Sequence, residues 1–289
     1  MKFSIIANPE KYTVQEPLER VVSWCRQKSI RIFASSKLRE QSEDVLEGPG
    51  ISVYDSEFEA TDHSDIVISI GGDGTMLHTA HIIKERNLPI LSINTGRLGF
   101  MANIQPTQIE HALQSIADKK YHLDKRRMLK ATKENDESFY ALNEFLFSRK
   151  DTSSMIKLEA DYDGTLINQY WADGLIVSSP TGSTAYNLSA GGPIIQPSTP
   201  VMVLTPINPH TLTTRPLVLP SNRPLTIRSS QNSEHILFSY DGIIEPHDRT
   251  LDIEIIQSDF SVSIIQLPEQ NYFETLRNKL MWGMDNRQE

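Results

Sequence analysis

The chain has 289 residues, enough for one large domain or for two of ordinary size. Its 28 Lys and Arg against 37 Asp and Glu give a net charge of −9, which disfavours a polybasic binder of nucleic acid or of a membrane surface. Cys25 is the single cysteine, so an internal disulfide and a cysteine-rich metal site are excluded. The single cysteine favours a reducing compartment. Because no apolar run approaches the ~18 residues of a membrane-spanning helix, we expect a globular protein of the cytoplasm.

The first hundred residues predict a parallel sheet with crossover helices, because short β-branched runs alternate there with helical periods. The strands are expected at 4–7, 30–34, 51–54, 66–70 and 90–93. Thr13 and Glu16 have the spacing of a capping box that begins a helix over 14–28. The buried face of this helix is predicted to carry four residues at steps of three and four, Val14, Leu18, Val21 and Cys25. Further helices are expected over 75–86 and 109–119.

From residue 125 onward the pattern changes to long segments of period two, which predict a mainly antiparallel β domain. Asp163-Gly164 and Asp241-Gly242 stand between strand-like runs as hairpin turns. The prolines crowded between 193 and 220 predict short strands and ordered loops there instead of helix. The chain is predicted to end in a helix with three apolar residues on one face, Phe273, Leu276 and Leu280. The expected segments are an α/β domain over 1–124, a mainly β domain over 125–268 and a C-terminal helix over 269–289.

The sharpest motif is Gly71-Gly72-Asp73-Gly74-Thr75, a glycine-rich turn between an apolar strand and a helix. Glycines allow the backbone to approach a ligand, and the exposed N–H groups of a helix N-terminus suit a phosphate. The acidic Asp73 would repel phosphate in a simple anion cradle, so it indicates a proton acceptor for an attacking hydroxyl or a contact to Mg²⁺. The alternative is a tight turn in which Asp73 is the helix N-cap.

A second candidate site is the segment 173–193, in which small and hydroxylated residues are concentrated. It offers many backbone and hydroxyl hydrogen bonds in a small volume, and Tyr186 provides a ring on which a base can stack. The alternative is a Ser- and Gly-rich surface loop. A third candidate is Asn143-Glu144, two polar residues inside an apolar run, which are either the end of a strand or a binding pair.

Five motifs follow one another along the chain. They are Gly71-Gly72-Asp73-Gly74-Thr75, NTGRLGF at 94–100, Leu142-Asn143-Glu144, the hydroxyl-rich segment 173–192 and PHTLTTRP at 209–216. In order and separation they resemble the NAD kinases, and the resemblance covers nearly the whole chain from 66 to 282. The glycine-rich motif alone is much less specific, because diacylglycerol kinases, sphingosine kinases and phosphofructokinases have a similar one.

The resemblance implies transfer of a phosphoryl group from ATP, or in some members inorganic polyphosphate, to the 2′-hydroxyl of the adenosine ribose of NAD, with Mg²⁺ offsetting phosphate charge. By position, Asp73 would accept the proton of that hydroxyl. The residues expected near phosphate are Gly71, Gly72, Gly74 and Thr75. The residues expected at NAD are Asn143, Glu144, Asp173, Thr184, Ala185, Tyr186, Asn187, Leu188 and Ser189.

The resemblance also implies a fold and an assembly. The expected fold is a three-layer α/β N-terminal domain with a parallel sheet, followed by an antiparallel β-sandwich-like C-terminal domain. The last helix is expected to return to the first domain. Members of the family are usually homodimers or homotetramers, and we expect the same here.

Three positions depart from the bacterial pattern of this family. Trp171 stands where a basic residue is common, and Ser154 where a basic or imidazole residue is frequent. Ile243 stands where a polar residue often follows the Asp-Gly turn. All three concern contacts to the dinucleotide, so they leave the preference between NAD and NADH open.

Two other functions fit part of this pattern. A lipid or sugar kinase would use the same glycine-rich turn, but the hydroxyl-rich segment and the lack of a basic amphipathic helix argue against a lipid substrate. A non-catalytic dinucleotide-binding sensor would gain nothing from Asp73 beside a phosphate. His78 and His81 have the spacing of a metal-binding pair, but no third ligand is indicated, so we interpret them as a helix surface and expect no metal site built from protein ligands alone.

Overall fold

A computed structural model describes residues 1–96, 99–151, 154–229, 235–246 and 251–283. Two compact units make up the chain, Met1–Lys125 with Val262–Glu289, and Arg126–Ser261. Within the described ranges, every helix is too short or too polar to cross a membrane.

The first unit alternates strands and helices. Its elements up to residue 117 are β1 (Lys2–Ala7), α1 (Gln15–Gln27), β2 (Arg31–Ser35), α2 (Ser36–Glu40), β3 (Ile51–Tyr54), α3 (Glu57–Asp62), β4 (Ile66–Ile70), α4 (Asp73–Ile83), β5 (Ile90–Ile93) and α5 (Ile109–Ala117). The strands are parallel in the order β3-β2-β1-β4-β5. Because the chain returns to the other side of β1 when it enters β4, the loops after these two strands flank a crevice at the carboxyl edge of the sheet.

Helices cover both faces of this parallel sheet. Every residue of β4 is buried, and its side chains alternate between the faces. Ile66, Ile68 and Ile70 share one apolar core with α1 and α5. On the other face, Oγ of Ser69 accepts a hydrogen bond from Oγ1 of Thr79 in α4 at 3.0 Å. Strands covered on both faces have apolar residues at successive positions, which is why four of the five residues of β4 are apolar.

The second unit is mainly antiparallel. Its elements are β6 (His122–Lys133), β7 (Ser138–Ala141), β8 (Glu144–Arg149), β9 (Ile156–Tyr162), β10 (Thr165–Ala172), β11 (Gly174–Ser178), α6 (Tyr186–Ser189), β12 (Val201–Ile207), β13 (Leu217–Pro220), β14 (Leu225–Ser229), β15 (Ile236–Tyr240), β16 (Ile243–Glu245) and β17 (Leu251–Gln266). One sheet has the order β13-β12-β11-β8-β15-β16. The other contains β10, β9, β14 and β17, and β6 pairs with β7. A shared apolar core holds Phe145 and Phe238 from the first sheet and Leu158 and Ile253 from the second.

The C-terminal segment belongs to the first unit. There β17 ends, with Ile264 paired in parallel to Ile90 of β5, and α7 (Tyr272–Leu280) follows. The predicted terminal helix is present, and of its three apolar residues Leu276 is buried while Phe273 is 54% exposed. A helix of nine residues buries only a narrow stripe, and Phe273 lies beyond it, with its ring edge-on to that of Tyr272.

The predicted fold class is confirmed, and β3, β4 and β5 have the predicted bounds. The prediction of a capping box is wrong. The helix α1 begins at Gln15 after a 3-10 turn, and Oγ1 of Thr13 contacts Oγ1 of Thr95 at 3.3 Å instead of capping a helix. The short helices α2 and α3 were not predicted, because fewer than two turns show no helical period. Both begin at serine caps, Ser35 and Ser56.

The predicted hairpin turns are confirmed. Asp163-Gly164 joins β9 to β10 and Asp241-Gly242 joins β15 to β16, and both residues of each pair have the positive φ that such turns require. The stretch 193–220, all of it described, contains β12 and β13 and no helix, as its prolines predict. Cys25 is fully buried, also as predicted, and burial raises the pKa of its thiol to about 12.

Candidate active site

The glycine-rich turn joins β4 to α4 at the carboxyl edge of the parallel sheet. Gly72 is the helix N-cap and Asp73 the first helical residue. A Cβ on Gly71 would lie 2.1 Å from Oγ1 of Thr75, so only glycine allows the chain this close to the first helical turn. A Cβ on Gly72 or Gly74 would meet nothing within 4 Å. The turn therefore presents the positive end of α4 to open space, the geometry that suits an anionic ligand.

The carboxylate of Asp73 is held by a neighbouring loop and by α7. Its Oδ1 accepts hydrogen bonds from the backbone N–H groups of Met101 and Ala102, both at 3.0 Å. Its Oδ2 accepts from the N–H of Phe100 at 2.9 Å and from Nζ of Lys279 at 3.2 Å. The N-cap alternative is therefore wrong, because the carboxylate turns to this loop and not to the amides of its own helix.

This environment keeps Asp73 charged. Burial favours the neutral acid, but the N–H groups of the loop and the Lys279 ammonium outweigh it, so the pKa of Asp73 lies below its ordinary value. Gly99 allows the close packing, since a Cβ there would lie 2.2 Å from Oδ1 of Asp73. An ionised carboxylate can accept a hydrogen bond from a hydroxyl, as a proton acceptor must.

A cleft of about 610 Å³ opens beside this turn within the first unit. The loops after β1, β2 and β3 and the first turn of α4 line it, so it lies at the carboxyl ends of the strands. Gly74 and Thr75 form the α4 side. Two lysines, Lys11 and Lys37, and three acidic residues, Glu10, Asp55 and Glu57, also line the cleft. Ligands of open α/β sheets bind where the strand order reverses, which is the position of this cleft.

His78 of α4 also lines the cleft. Its Nε2 lies 2.5 Å from Oε2 of Glu57, and this hydrogen bond raises the pKa of His78 against the opposing effects of burial and of Lys37. Across the described residues, no group of three or more His, Cys, Asp or Glu side chains is placed to hold a metal ion. The contact with Glu57 places His78 in an ion pair that lines the cleft.

In the second unit, Asn143 and Glu144 lie at one end of the six-stranded sheet. β8 begins at Glu144 where its antiparallel neighbours β11 and β15 end, so the ends of three strands meet. Asp241, just after β15, accepts hydrogen bonds from the successive N–H groups of Leu142, Asn143 and Glu144 at 2.7, 2.8 and 3.2 Å. The pair is at a strand end, as one alternative predicted, and Asp241 fixes its backbone.

The hydroxyl-rich segment after β11 is folded inward. Ser178, Ser179 and Ser183 are all fully buried. The N–H of Ser179 donates to the carbonyl oxygen of Asn143 at 2.8 Å. A Cβ on Gly182 would lie 2.2 Å from the same oxygen. The alternative of a surface loop is therefore wrong, because this segment packs directly on the Asn143 backbone.

The residues around α6 differ in exposure. Tyr186 is 43% exposed, which leaves ring surface accessible to a ligand. Asn187 is fully buried, where Oδ1 accepts from Oγ1 of Thr205 at 2.6 Å and Nδ2 donates to the carbonyl of Ser183 at 3.3 Å. The other predicted residues are partly buried or exposed, Thr184, Ala185, Leu188 and Ser189. Asn187 thus holds the segment together from inside.

Asp173 lies between β10 and β11 and is paired within the second unit. Its Oδ1 is 3.2 Å from Nη1 of Arg149, and its Oδ2 accepts from Nδ2 of Asn208 at 3.1 Å. The pairing fixes the orientation of the Asp173 carboxylate. Arg149 at the end of β8 was not predicted, because a single arginine at a strand end has no distinguishing pattern.

The three residues that depart from the family pattern, Trp171, Ser154 and Ile243, are all exposed. The ring of Trp171 stacks on that of His210 with centroids 4.5 Å apart. Nζ of Lys157 lies 5.2 Å from the Trp171 ring. A ring pair and a lysine from the neighbouring strand thus stand where the bacterial pattern has one basic side chain.

Two buried oxygens of the second unit have no hydrogen-bond partner among the described residues, Oε2 of Glu144 and Oγ1 of Thr181. Buried polar atoms normally have partners, so these two are candidates for contact with polar groups of a ligand. Burial, together with the nearby Asp241 carboxylate, raises the pKa of Glu144 to about 8. Glu144 is therefore mostly protonated at neutral pH and can donate a hydrogen bond.

Through Glu144, the stability of the protein is expected to fall as pH rises from 4.5 to about 8. In this window the folded protein retains a proton that the unfolded chain, with an ordinary glutamate pKa of 4.5, has lost, so rising pH favours unfolding. Glu144→Gln removes this loss and raises the melting temperature at pH 8 by about 3 °C or more over wild type, with little difference near pH 4.5. Thermal melting checks this, with the exposed Glu134→Gln as control. Parallel pH profiles for wild type and Glu144→Gln would contradict it.

Two contacts of the candidate site lie outside the sequence prediction. Lys279 is 206 positions from Asp73, and no local pattern marks it. Asp241 was interpreted only as part of a hairpin turn, since its contact with the Asn143 backbone depends on strand order. Arg97 and Leu98 of the 94–100 motif lie outside the described residues.

Two family models match the chain, an ATP-NAD kinase N-terminal domain over residues 3–121 and an ATP-NAD kinase C-terminal domain over residues 142–267. Among curated relatives, the NAD kinase of Flavobacterium psychrophilum is 38% identical over 298 residues, covering 99% of this chain and 100% of that protein. The NAD kinase of Moorella thermoacetica is 34% identical over 286 residues, covering 98% of this chain and 90% of that protein.

Two solved structures have the same fold. Yeast NADH kinase complexed with NADH has a TM-score of 0.90 at 23% identity, covering 100% of this chain and 90% of that one. An NAD kinase from Archaeoglobus fulgidus in complex with ATP has a TM-score of 0.78 at 23% identity, covering 97% of this chain and 99% of that one. Since the family models span most of the sequence and relatives well above 30% identity span nearly all of it, the chain belongs to the NAD kinase family.

Proposed function

We propose that this protein transfers the γ-phosphoryl group of ATP to the 2′-hydroxyl of the adenosine ribose of NAD, giving NADP and ADP. The observation that carries the proposal is the ionised carboxylate of Asp73, held at the N-terminus of α4 by three backbone N–H groups. A helix N-terminus favours phosphate, and a carboxylate beside it accepts the proton of an attacking hydroxyl. A protein that only binds a dinucleotide gains nothing from a negative charge at this place.

In the proposed step, the ribose 2′-oxygen forms a bond to the γ-phosphorus. The bond from that phosphorus to the oxygen bridging to the β-phosphorus breaks, and ADP leaves with the electron pair. The hydroxyl proton passes to Asp73. Phosphoryl transfer requires little covalent chemistry from the protein. Its rate is therefore determined by the positioning of the substrates and by charge stabilisation.

The cleft beside the glycine-rich turn is the proposed site of ATP. Gly74 and Thr75 at the N-terminus of α4 would face the phosphates, and Lys11 and Lys37 would add positive charge. We expect Mg²⁺ to enter with the phosphates of ATP, since the described residues hold no ligand cluster of their own. The ion supplies charge neutralisation there. Inorganic polyphosphate would use the same phosphate-binding turn and stays an alternative donor.

The second unit is proposed to hold NAD. The unpaired oxygens of Glu144 and Thr181 would take polar groups of the dinucleotide, and the exposed ring of Tyr186 would stack on a base. The direct contacts expected beside them come from Asn143, Asp173, Thr184, Ala185, Leu188 and Ser189. Asn187 would act from inside the segment. A homodimer or homotetramer and a cytoplasmic location stay predictions from the family resemblance.

The test is turnover of the purified protein with NAD, ATP and Mg²⁺, in which an NADP-specific dehydrogenase reduces any NADP and the absorbance of NADPH is followed. Parallel reactions replace ATP by polyphosphate, or NAD by NADH. With NADH the product is already NADPH, so it is measured with an enzyme that oxidises NADPH but not NADH. Together these reactions rank acceptors and donors. We expect NADP from NAD and ATP. Saturable NAD binding without NADP from any donor would instead indicate a sensor. Phosphorylation of a lipid or a sugar but not of NAD would indicate the other kinase class.

A further inference from the structure

The Asp73 carboxylate has no acceptor position left for a substrate hydroxyl. A carboxylate offers about four lone-pair positions, two on each oxygen. Oδ1 receives the N–H groups of Met101 and Ala102, and Oδ2 receives the N–H of Phe100 and Nζ of Lys279. A ribose hydroxyl can bind to this carboxylate only after one of these four donors leaves.

Of these four donors, Lys279 is the one that can leave without rebuilding the backbone. The other three are successive backbone N–H groups of one loop, which is packed so tightly that Gly99 beside Asp73 has no room for a Cβ. Lys279 stands on α7 with 30% of its side chain exposed, and its ammonium ends a flexible stem. Rotation of that stem frees one position on Oδ2.

The surroundings keep the Lys279 ammonium near the reaction site when it leaves Oδ2. Its Nζ lies 4.7 Å from the centre of the Phe100 ring, a distance at which a cation is attracted to the ring face. The open N-terminus of α4 begins at Asp73 itself, so an anion bound there would lie close to the ammonium. The same anion would repel the Asp73 carboxylate, and a cation between them offsets that repulsion.

We propose that Lys279 is a further catalytic residue, whose ammonium moves from Oδ2 of Asp73 to an oxygen of the transferring phosphoryl group while the ribose hydroxyl takes its place on Oδ2. This inference rests on the proposed NAD kinase function. The bonds formed and broken are unchanged: the 2′-oxygen joins the γ-phosphorus, ADP leaves with the electron pair, and the proton passes to Oδ2. Lys279 neither gains nor loses a proton and supplies charge to the transition state.

The test compares three variants in the full-length protein. Lys279→Met retains the stem without the charge, Lys279→Arg retains a charge, and Arg277→Met removes a positive charge from an exposed position of the same helix. We expect Lys279→Met to lower kcat by ~100-fold with KM for NAD nearly unchanged. Lys279→Arg should recover part of this loss, and Arg277→Met should match wild type.

The pH profile separates a catalytic cation from one that only keeps Asp73 ionised. Loss of Lys279 raises the pKa of Asp73, so the acidic limb of kcat moves to higher pH in Lys279→Met. A catalytic Lys279 also lowers the plateau above this limb. A shifted limb with a wild-type plateau would overturn the catalytic role.

The remaining outcomes are also decisive. Equal or faster turnover of Lys279→Met would overturn the proposal, and a faster rate would identify the contact as an inhibitory latch. Thermal melting of each variant checks that it is folded. If Lys279→Met has a lower melting temperature than wild type, Lys279→Gln repeats the test. If the wild-type protein forms no NADP while still binding NAD, the proposed function fails and this inference fails with it. An active wild type with an unaffected Lys279→Met overturns this inference alone.

Discussion

Asp73→Asn is expected to remove most turnover, with kcat for NADP formation lowered by ~10²–10⁴. The variant retains the size of the side chain but cannot accept the hydroxyl proton. With its amide nitrogen in the place of Oδ2, it also sets a donor against the N–H of Phe100 and the Lys279 ammonium, so both contacts are lost. The coupled assay at saturating NAD and ATP measures the effect.

The control for this variant is Asp118→Asn, which changes an exposed aspartate at the end of α5 in the same unit. It is expected to turn over like wild type. Thermal melting and NAD binding of Asp73→Asn distinguish lost chemistry from a lost fold. Wild-type turnover in a folded Asp73→Asn protein would exclude the proton-acceptor role.

Gly182→Ala is expected to be the most damaging small substitution in the second unit. The new Cβ would lie 2.2, 2.5 and 2.7 Å from the carbonyl oxygen, carbonyl carbon and Cα of Asn143. These are backbone atoms, and Asp241 and Ser179 already fix the chain there, so the hydroxyl-rich segment must move away. We expect a loss of about 3 kcal/mol in the free energy of unfolding, a melting temperature lower by roughly 5 °C and weaker NAD binding.

The matched control for this substitution is Gly164→Ala in the turn between β9 and β10. That glycine has φ of 77° but nothing within 4 Å of a new Cβ, so only backbone strain of about 1 kcal/mol opposes alanine. Its NAD binding is expected to equal that of wild type. If Gly164→Ala proves as destabilising as Gly182→Ala, contact with the Asn143 backbone is not what requires glycine at 182.

Much of the fold could be predicted because its signals are local. β3, β4 and β5 have the predicted bounds, since a buried parallel strand is a short apolar run between polar residues. The two Asp-Gly turns were predicted from the residues that such turns require. α2 and α3 were missed because their five or six residues make fewer than two helical turns, too few for an apolar pattern to repeat. Phe273 shares its predicted helix face with Leu276 but is exposed, because periodicity gives the direction of an apolar stripe and not how much of it the fold covers.

In the candidate site, too, local features could be predicted and contacts between distant residues could not. The glycine-rich turn is contiguous, so its residues and its position before a helix could be predicted together. The partners of Asp73 come from 27 to 29 positions away in one loop and from 206 positions away in α7, and none of them carries a motif of its own. Only the path of the folded chain brings them to one carboxylate.

The sequence by itself therefore determined the class of fold, the glycine-rich turn and the family, because periodicity, turn chemistry and contiguous motifs depend on neighbouring residues. The tertiary structure decided the state of the side chains in the candidate site. It places Lys279 on Asp73, gives Glu144 a pKa near 8 through burial and Asp241, and packs the hydroxyl-rich segment against Asn143. Charge and protonation depend on the solvent and the groups around an atom, and those groups come from distant parts of the chain.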